Sequence, residues 1–210
     1  MTTKPNAPAT VRNREAILEV IEPEFEGYET ILEIGSGTGQ HAIFFAQHMP
    51  WLVWQTSDLA ENHDGIRAWI DEAKLANIKA PLALDVTRPA PTGIACDAVF
   101  SANTSHIMHF SAVVDMFTLV GRILGNDGKL CLYGPFNLNG EFTSDSNSEF
   151  DASLKSRDPG MGIRNLEDLD QLGTKNLLVR EKLYAMPANN MLAVWVKKGN
   201  TGGEDDNNNT

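Results

Sequence analysis

This chain of 210 residues lacks a cysteine framework and a cluster of Lys and Arg, and each absence counts against a class of function. Its two cysteines, Cys96 and Cys131, stand in apolar runs, form no CxxC pair and show no Cys/His metal spacing, so we expect buried thiols and no metal site. Lys and Arg number 17 against 28 Asp and Glu, which gives a net charge of -11 without any basic cluster. A nucleic-acid partner is therefore disfavoured, since proteins bind nucleic acids through basic faces.

The sequence also lacks the segments that direct proteins to membranes or out of the cell. No apolar run approaches the roughly 18 residues that a membrane-spanning helix needs. The first residues, MTTKPNAPATVRNRE, contain no apolar stretch of a secretory signal. We therefore expect a cytoplasmic protein without a membrane partner. We expect one domain over residues 1–200, in which 1–10 form a loose leader, followed by a disordered acidic tail at 201–210.

Apolar runs alternate with amphipathic segments along most of the chain. Such alternation predicts an α/β fold with a parallel sheet. Helices are expected near residues 11–21, where Pro23 ends the helix, near 65–75 and near 111–124, with Ser111 as N-cap. A short helix is expected after Asn165, which could cap it. Two β-like runs around the turn at 187–190 predict an antiparallel pair. The expected fold is a Rossmann-like, doubly wound, seven-stranded sheet, mostly parallel with a terminal antiparallel β-hairpin. A tight GNDG turn is expected before the fifth strand. The first five strands are expected at TILEI, WLVWQTSD, PLALDVT, CDAVFSAN and KLCLYGPF.

The stretch TILEIGSGTGQHAIFFAQHMP is the centre of the predicted site. A strand, a glycine turn and a helix place backbone N–H groups and a helix N-terminus against a nucleotide-like ligand. The dinucleotide fingerprint requires Gly or Ala at position 40, where this chain has Gln40, and Glu33 precedes the turn. The turn therefore favours a ligand that ends in an amino acid over a pyrophosphate. Its glycines are Gly35, Gly37 and Gly39.

Polar side chains stand where the next three predicted strands end. Asp58 can accept hydrogen bonds from both ribose hydroxyls of a nucleoside, and Asp85 can accept one from an adenine amino group. Asn103 ends the fourth strand. Because the carboxyl ends of parallel strands face one crevice, we expect these side chains and Glu33 along one rim.

At these residues the chain resembles the class I S-adenosylmethionine-dependent methyltransferases. LEIGSGTG is similar to the first motif of that superfamily, Asp58 to its ribose-binding acid and Asp85 to the acid of its LDV motif. A narrower resemblance, to the predicted methyltransferases of the methyltransferase-like protein twenty-six family, covers RNREAIL, GSGTGQHAIFFA, SANTSHI, YGPFNLNGEFTSDSNSEFDASL and RDPGMGIRNLEDL. The resemblance implies that S-adenosyl-L-methionine is the cofactor and that its site comprises Glu33, Gly35, Ser36, Gly37, Gly39, Asp58, Leu59, Asp85, Val86 and Asn103.

Methyl transfer requires an aligned nucleophile and, where that nucleophile carries a proton, a general base. His106, on the loop after the fourth strand, and Tyr133, at the end of the fifth, are the expected catalytic residues. A loop histidine could instead pack against the following helix. Residues 137–164 are polar and without clear periodicity, which indicates a substrate lid. The expected substrate-binding residues are Arg12, Asn13, Asn147, Phe150, Asp151 and Arg164, although Arg12 could equally be an ordinary surface residue.

The leading hypothesis is a methyltransferase that acts on a small-molecule acceptor. Two alternatives stay open: a methyltransferase-like protein that binds the cofactor without catalysis, and an NAD-dependent oxidoreductase. Gln40, Glu33 and the terminal hairpin count against the oxidoreductase. The place where amide and adenine methyltransferases often carry [DN]PP[YFW] reads NTSH here, which disfavours those acceptors.

Overall fold

A computed structural model describes residues 4–199 of the chain. The acidic tail expected at 201–210 and the first three residues of the expected leader lie outside this range. The helices are α1 (Pro8–Glu24), α2 (Gln40–His48), α3 (His63–Ala73), α4 (Phe110–Ile123), α5 (Asp145–Arg157) and α6 (Leu166–Lys175). The strands are β1 (Thr30–Ile34), β2 (Val53–Asp58), β3 (Ile78–Ala83), β4 (Cys96–Ala102), β5 (Leu124–Gly134), β6 (Phe136–Asn137), β7 (Arg164–Asn165), β8 (Leu178–Met186) and β9 (Asn190–Lys197).

Seven of these strands form one sheet in the order β3-β2-β1-β4-β5-β9-β8. The first five pair in parallel, and β9 lies antiparallel between β5 and β8. The fold class expected from the sequence is thereby confirmed. The strand order changes direction between β1 and β4, and in doubly wound sheets ligands bind in the crevice beyond the carboxyl ends of strands at such a point.

Helices cover both faces of the sheet, and each face has its own apolar cluster. On one face, α4 and α6 pack residues such as Phe117 and Leu169 against the sheet. On the other, α1 and α2 contribute Ile17, Ile21 and Phe45. The central strands read as nearly continuous apolar runs because both of their faces are buried. No helix within residues 4–199 is long and apolar enough to cross a membrane.

Several boundaries differ from the expected ones. Helix α1 begins at Pro8, which stands in its first turn, so residues 8–10 are helical and not part of a loose leader. Pro23 does not end this helix but lies in its last turn. Pro81 lies inside β3 and does not open it, which is tolerated because β3 is an edge strand. Asp85 consequently lies two residues beyond the strand that was expected to carry it.

Two expected helix caps and one expected turn are also different. His109, not Ser111, occupies the N-cap position of α4. Asn165 stands at the N-cap of α6, but its side-chain amide donates to the Asp168 carboxylate and caps no backbone N–H. The GNDG segment belongs to β5, where the pairing with β4 shifts register and Asp127 takes a left-handed conformation with φ 63°.

Residues 137–164 are more regular than the sequence indicated. They contain α5, a helix of 13 residues whose N-cap, Ser144, accepts a hydrogen bond from the backbone N–H of Asn147. The short strands β6 and β7 pair in parallel and bring the two ends of this segment together. The expectation of an irregular segment was therefore wrong, while the lid role assigned to it stays a prediction.

Candidate functional site

A cavity of about 450 Å³ opens at the carboxyl ends of β1, β2 and β4. Seven residues expected to bind a cofactor line it, and nine further residues complete the wall. Its volume lies within the range of small-molecule pockets. The expected residues are Gly35, Gly37, Asp58, Leu59, Asp85, Val86 and Asn103, and the others are Ile34, Asn62, Leu84, Thr87, Ala102, Thr104, Ile107, Met108 and Ala112.

The glycines of the turn serve different purposes. Gly35 and Gly39 have φ of 75° and 87°, in the left-handed region that favours glycine. A Cβ on Gly35 would lie 2.5 Å from Cγ2 of Thr104, so the close approach of the two loops requires glycine there. Gly37, with φ 57°, has no atom of the described chain within 4 Å of the place of a Cβ, which leaves its backbone open to the cavity.

Asp58 ties the turn to the end of β2. Its carboxylate accepts hydrogen bonds from the backbone N–H of Gly37 at 2.6 Å, from the backbone N–H of Leu59 at 2.7 Å and from the side-chain amide of Asn62 at 2.7 Å. A carboxylate has about four lone-pair positions, so at least one acceptor position is left for a ligand. Because the Asn62 side chain also lines the cavity, it is the donor that can most readily exchange for a ligand hydroxyl.

Three residues expected at the cofactor do not line the cavity. They are Glu33, Ser36 and Gly39. Glu33 is 2% exposed, and its Oε2 accepts from the Ser36 hydroxyl at 2.7 Å and from the Trp54 indole N–H at 3.2 Å. Burial raises the pKa of Glu33 to about 7, against the lowering effect of these two hydrogen bonds. Gly39 is the N-cap of α2. These residues stabilise the turn on the side away from the cavity.

The side of the cavity beyond β3 combines one carboxylate with apolar groups. The Asp85 carboxylate accepts from the hydroxyl and backbone N–H of Thr87 at 2.7 and 3.0 Å, and these bonds lower its pKa. Leu84 and Val86 stand on either side of it in the wall. The arrangement offers a planar ligand apolar contacts and one acceptor.

His106 lies on the segment that joins β4 to α4. The next residue, Ile107, lines the cavity. The side chain is 4% exposed, and its Nδ1 is buried without a hydrogen-bond partner among residues 4–199. The ring meets Phe150 of α5 edge-on at 5.2 Å between centroids. Burial, with the nearby charges of Arg164 and Arg157, lowers the pKa of His106 to about 4. The imidazole is therefore neutral at pH 7.

Tyr133 does not line this cavity and packs with the apolar cluster under α1 and α2. Burial raises the pKa of its hydroxyl, and a side-chain hydrogen bond with Asn13 partly offsets this. The side-chain Oδ1 of Asn13 also lies 2.8 Å from Nε2 of His41, which stacks on Phe45. Tyr133 and Asn13 thus come together on this side of the sheet.

The remaining residues expected at a substrate have contacts within the chain. The Asn147 amide donates to the carbonyl of Asn189 at 3.0 Å. The Asp151 carboxylate accepts from the backbone N–H of Ile163 at 2.8 Å and pairs with Lys155 at 2.6 Å. Arg164 donates to three backbone carbonyls, and Arg12 is exposed on α1. Their roles toward a substrate stay predictions.

Sequence reasoning missed most of the wall after β4. Thr104, Ile107 and Met108 lie on a loop without periodicity, and only the folded loop shows which of its side chains face the cavity. Asn62 had a usable signal, since it stands four residues after Asp58 at the beginning of a helix. Within residues 4–199, no three His, Cys, Asp or Glu side chains are grouped to hold a metal.

Several solved structures that superpose on this chain are methyltransferases. An O-methyltransferase family protein from Burkholderia thailandensis superposes with a TM-score of 0.79 at 14% identity, over 91% of this chain and 58% of that one. Mitomycin 7-O-methyltransferase MmcR gives 0.79 at 18% identity, over 91% and 54%. CalO1, a methyltransferase of calicheamicin biosynthesis in its SAH-bound form, gives 0.73 at 19%, over 90% and 54%. The chain thus spans little more than half of their length.

The sheet order and these superpositions show that the chain has the α/β Rossmann-like fold of the class I S-adenosylmethionine-dependent methyltransferases. Residues 4–197 match the model of a family described as "Protein of unknown function (DUF938)". The chain belongs to this family.

Proposed function

We propose that this protein is an S-adenosylmethionine-dependent methyltransferase that acts on a small-molecule acceptor. The observation that carries the proposal is the cavity beyond β1, β2 and β4, where the glycine turn, Asp58 and Asp85 stand together. The narrower resemblance to the methyltransferase-like protein twenty-six family, the cytoplasmic location and the absence of nucleic-acid or membrane partners stay proposals of the sequence.

The residues of the cavity fit this cofactor. Asp58 offers a carboxylate for the ribose hydroxyls, with the Asn62 amide as the exchangeable donor. Leu84, Val86 and Met108 provide apolar wall for an adenine ring. Gly37 presents bare backbone to the same space. S-Adenosylmethionine, when bound, supplies an electrophilic methyl group on a sulfonium.

His106 is the residue that we assign to the acceptor. In the tautomer with its proton on Nε2, its unpartnered Nδ1 can accept a hydrogen bond, or a proton, from an acceptor group. The low pKa keeps this nitrogen unprotonated across the neutral range. Phe150 packs against the ring and is itself 37% exposed, so it offers an apolar surface beside this position.

The first test is calorimetry with S-adenosylmethionine, S-adenosylhomocysteine and NADH. We expect binding of the first two and none of NADH. Asp58→Ala should weaken the binding of S-adenosylhomocysteine by about 1–3 kcal/mol, the cost of leaving ribose hydroxyls without an acceptor. Binding of NADH alone would refute the proposal.

Asp97 provides a matched control near the amino ends of β1 and β4, at the opposite ends of the strands from the cavity. Its carboxylate also accepts three hydrogen bonds, from the backbone N–H groups of Glu29 and Thr30 and from the Thr30 hydroxyl. Asp97→Ala should therefore lose stability comparably but keep its affinity for S-adenosylhomocysteine. Equal losses of affinity in both variants would show that Asp58 acts only through the fold.

A further inference from the structure

Arg164 joins two loops that enclose His106. Its Nε donates to the carbonyl of Ser105 at 3.0 Å, and its Nη2 donates to the carbonyls of Met108 and of Gly160, the last at 2.9 Å. The first two acceptors flank His106 on the loop after β4, and the third lies on the segment before β7. One planar guanidinium thus bridges both segments.

The same two segments meet directly at His106. The backbone N–H of Gly162 donates to the carbonyl of His106 at 2.9 Å. The next residue, Ile163, donates its backbone N–H to Asp151 of α5. The loop that carries His106 is therefore fastened to the chain on the α5 side by Gly162 and by Arg164.

The first part of this loop, Asn103 and Thr104, lines the cavity and has separate anchors. The backbone N–H of Asn103 donates to the carbonyl of Tyr133 at 2.9 Å. The hydroxyl oxygens of Thr104 and Ser101 lie 2.6 Å apart, and Thr104 packs closely on Gly35. Asn103 and Thr104 can therefore keep their places when the contacts of Arg164 are lost, whereas Met108, which also lines the cavity, loses one of its contacts.

We propose that Arg164 is a positioning residue, whose guanidinium fork holds the loop of His106 so that its imidazole stays buried at the acceptor side of the cavity. The proposal rests on the function proposed above. It assigns Arg164 a role through His106 and not direct contact with a substrate. Lysine cannot replace the fork, because an ammonium group lacks its planar set of donors.

The test follows the ring of His106 by NMR in histidine-labelled protein, with a His106→Gln variant to assign its signal among the five histidines. The charges that act on this ring are those of Arg164 and of Arg157, the last residue of α5, and the ion pair of Asp151 and Lys155 lies on the same helix. Arg164→Lys keeps the positive charge and removes the fork. A change in titration then reports the position and hydration of the ring.

In the wild type we expect no titration of His106 above about pH 5. In Arg164→Lys the midpoint should rise toward the ordinary value of about 6.5, and in Arg164→Gln it should rise further, because the charge is lost as well. The affinity for S-adenosylhomocysteine should fall by less than in Asp58→Ala, because Asn103 and Thr104 keep their own anchors while Met108 loses one contact. A His106 that stays silent above pH 5 in both variants would overturn the proposal, and so would a loss of affinity as large as that of Asp58→Ala.

Two controls separate positioning from general loosening. His41, in the first turn of α2, is a second buried histidine, whose pKa burial and Arg14 lower to about 4, and it should remain silent in both variants. Arg180→Lys removes a comparable fork, from Arg180 to Asp170, and should leave His106 unchanged. Titration of His41 together with His106 would overturn the proposal. A wild type that binds no S-adenosylhomocysteine would refute the proposed function, while the histidine titration would still report on Arg164.

Discussion

The contact between Gly35 and Thr104 allows a prediction with a magnitude. In Gly35→Ala the new methyl group would lie 2.5 Å from Cγ2 of Thr104, in a backbone with φ 75°. The left-handed conformation costs about 1–2 kcal/mol for a residue with a Cβ. Overpacking at a tight contact costs about 1–3 kcal/mol more. We therefore expect Gly35→Ala to lower the free energy of unfolding by about 2–5 kcal/mol, measured by urea denaturation.

A double-mutant cycle separates the two terms. Thr104→Ser removes Cγ2 but keeps the hydroxyl that lies 2.6 Å from Ser101, so alone it should cost about 1 kcal/mol. Combined with Gly35→Ala it should relieve the overpacking, with a coupling energy of about 1–3 kcal/mol. Gly37→Ala, with φ 57° and open space, should show only the conformational cost, about 1–2 kcal/mol. Additive effects of the pair, or an equal loss at Gly37, would refute this reasoning.

Two buried carboxyl groups predict opposite dependences of stability on pH. Burial raises the pKa of Glu33 from 4.5 to about 7, so between these pH values the folded protein holds a proton that the unfolded chain releases. The free energy of unfolding should therefore fall by roughly 2–4 kcal/mol as pH rises from about 4.5 to 7. Glu33→Gln should remove this slope in urea titrations at pH 5 and 8, and an unchanged slope would contradict it. Burial opposes ionisation of Glu24, but hydrogen bonds from Lys129, Lys182 and Tyr184 lower its pKa from 4.5 to about 2. Glu24→Gln should therefore cost about 1–3 kcal/mol at pH 7, and this difference should narrow as pH falls from about 4.5 toward 2; a difference that stays constant to pH 3 would contradict the assignment.

The fold could be predicted because its signals are local. Buried parallel strands need apolar side chains on both faces, and the glycines of a turn can be recognised directly in the sequence. The sheet and its terminal hairpin could therefore be predicted from the sequence. Boundaries were less accurate. Pro81 was read as the beginning of β3, yet it lies within the strand because an edge position spares it a ladder hydrogen bond.

The candidate site could be predicted where a residue stands at the end of a strand. Asp58 and Asn103 reach the cavity because parallel strands end at one rim. Glu33 was expected beside the ligand. It is instead buried behind the turn, where the Ser36 hydroxyl and the Trp54 indole bind it. The amino-acid sequence does not indicate on which side of a turn a carboxylate will lie.

The sequence by itself determined the sheet, the glycine turn and the rim on which a cofactor site could form, because each depends on residues close together in the chain. Only the tertiary structure decided the form of residues 137–164. In α5 the buried positions are Asn147, Asp151 and Leu154, at helical spacing, but two of the three are polar, so no apolar periodicity marks the helix. Their burial is offset by hydrogen bonds to Asn189 and Ile163, partners that lie 42 and 12 residues away and that folding alone brings into contact.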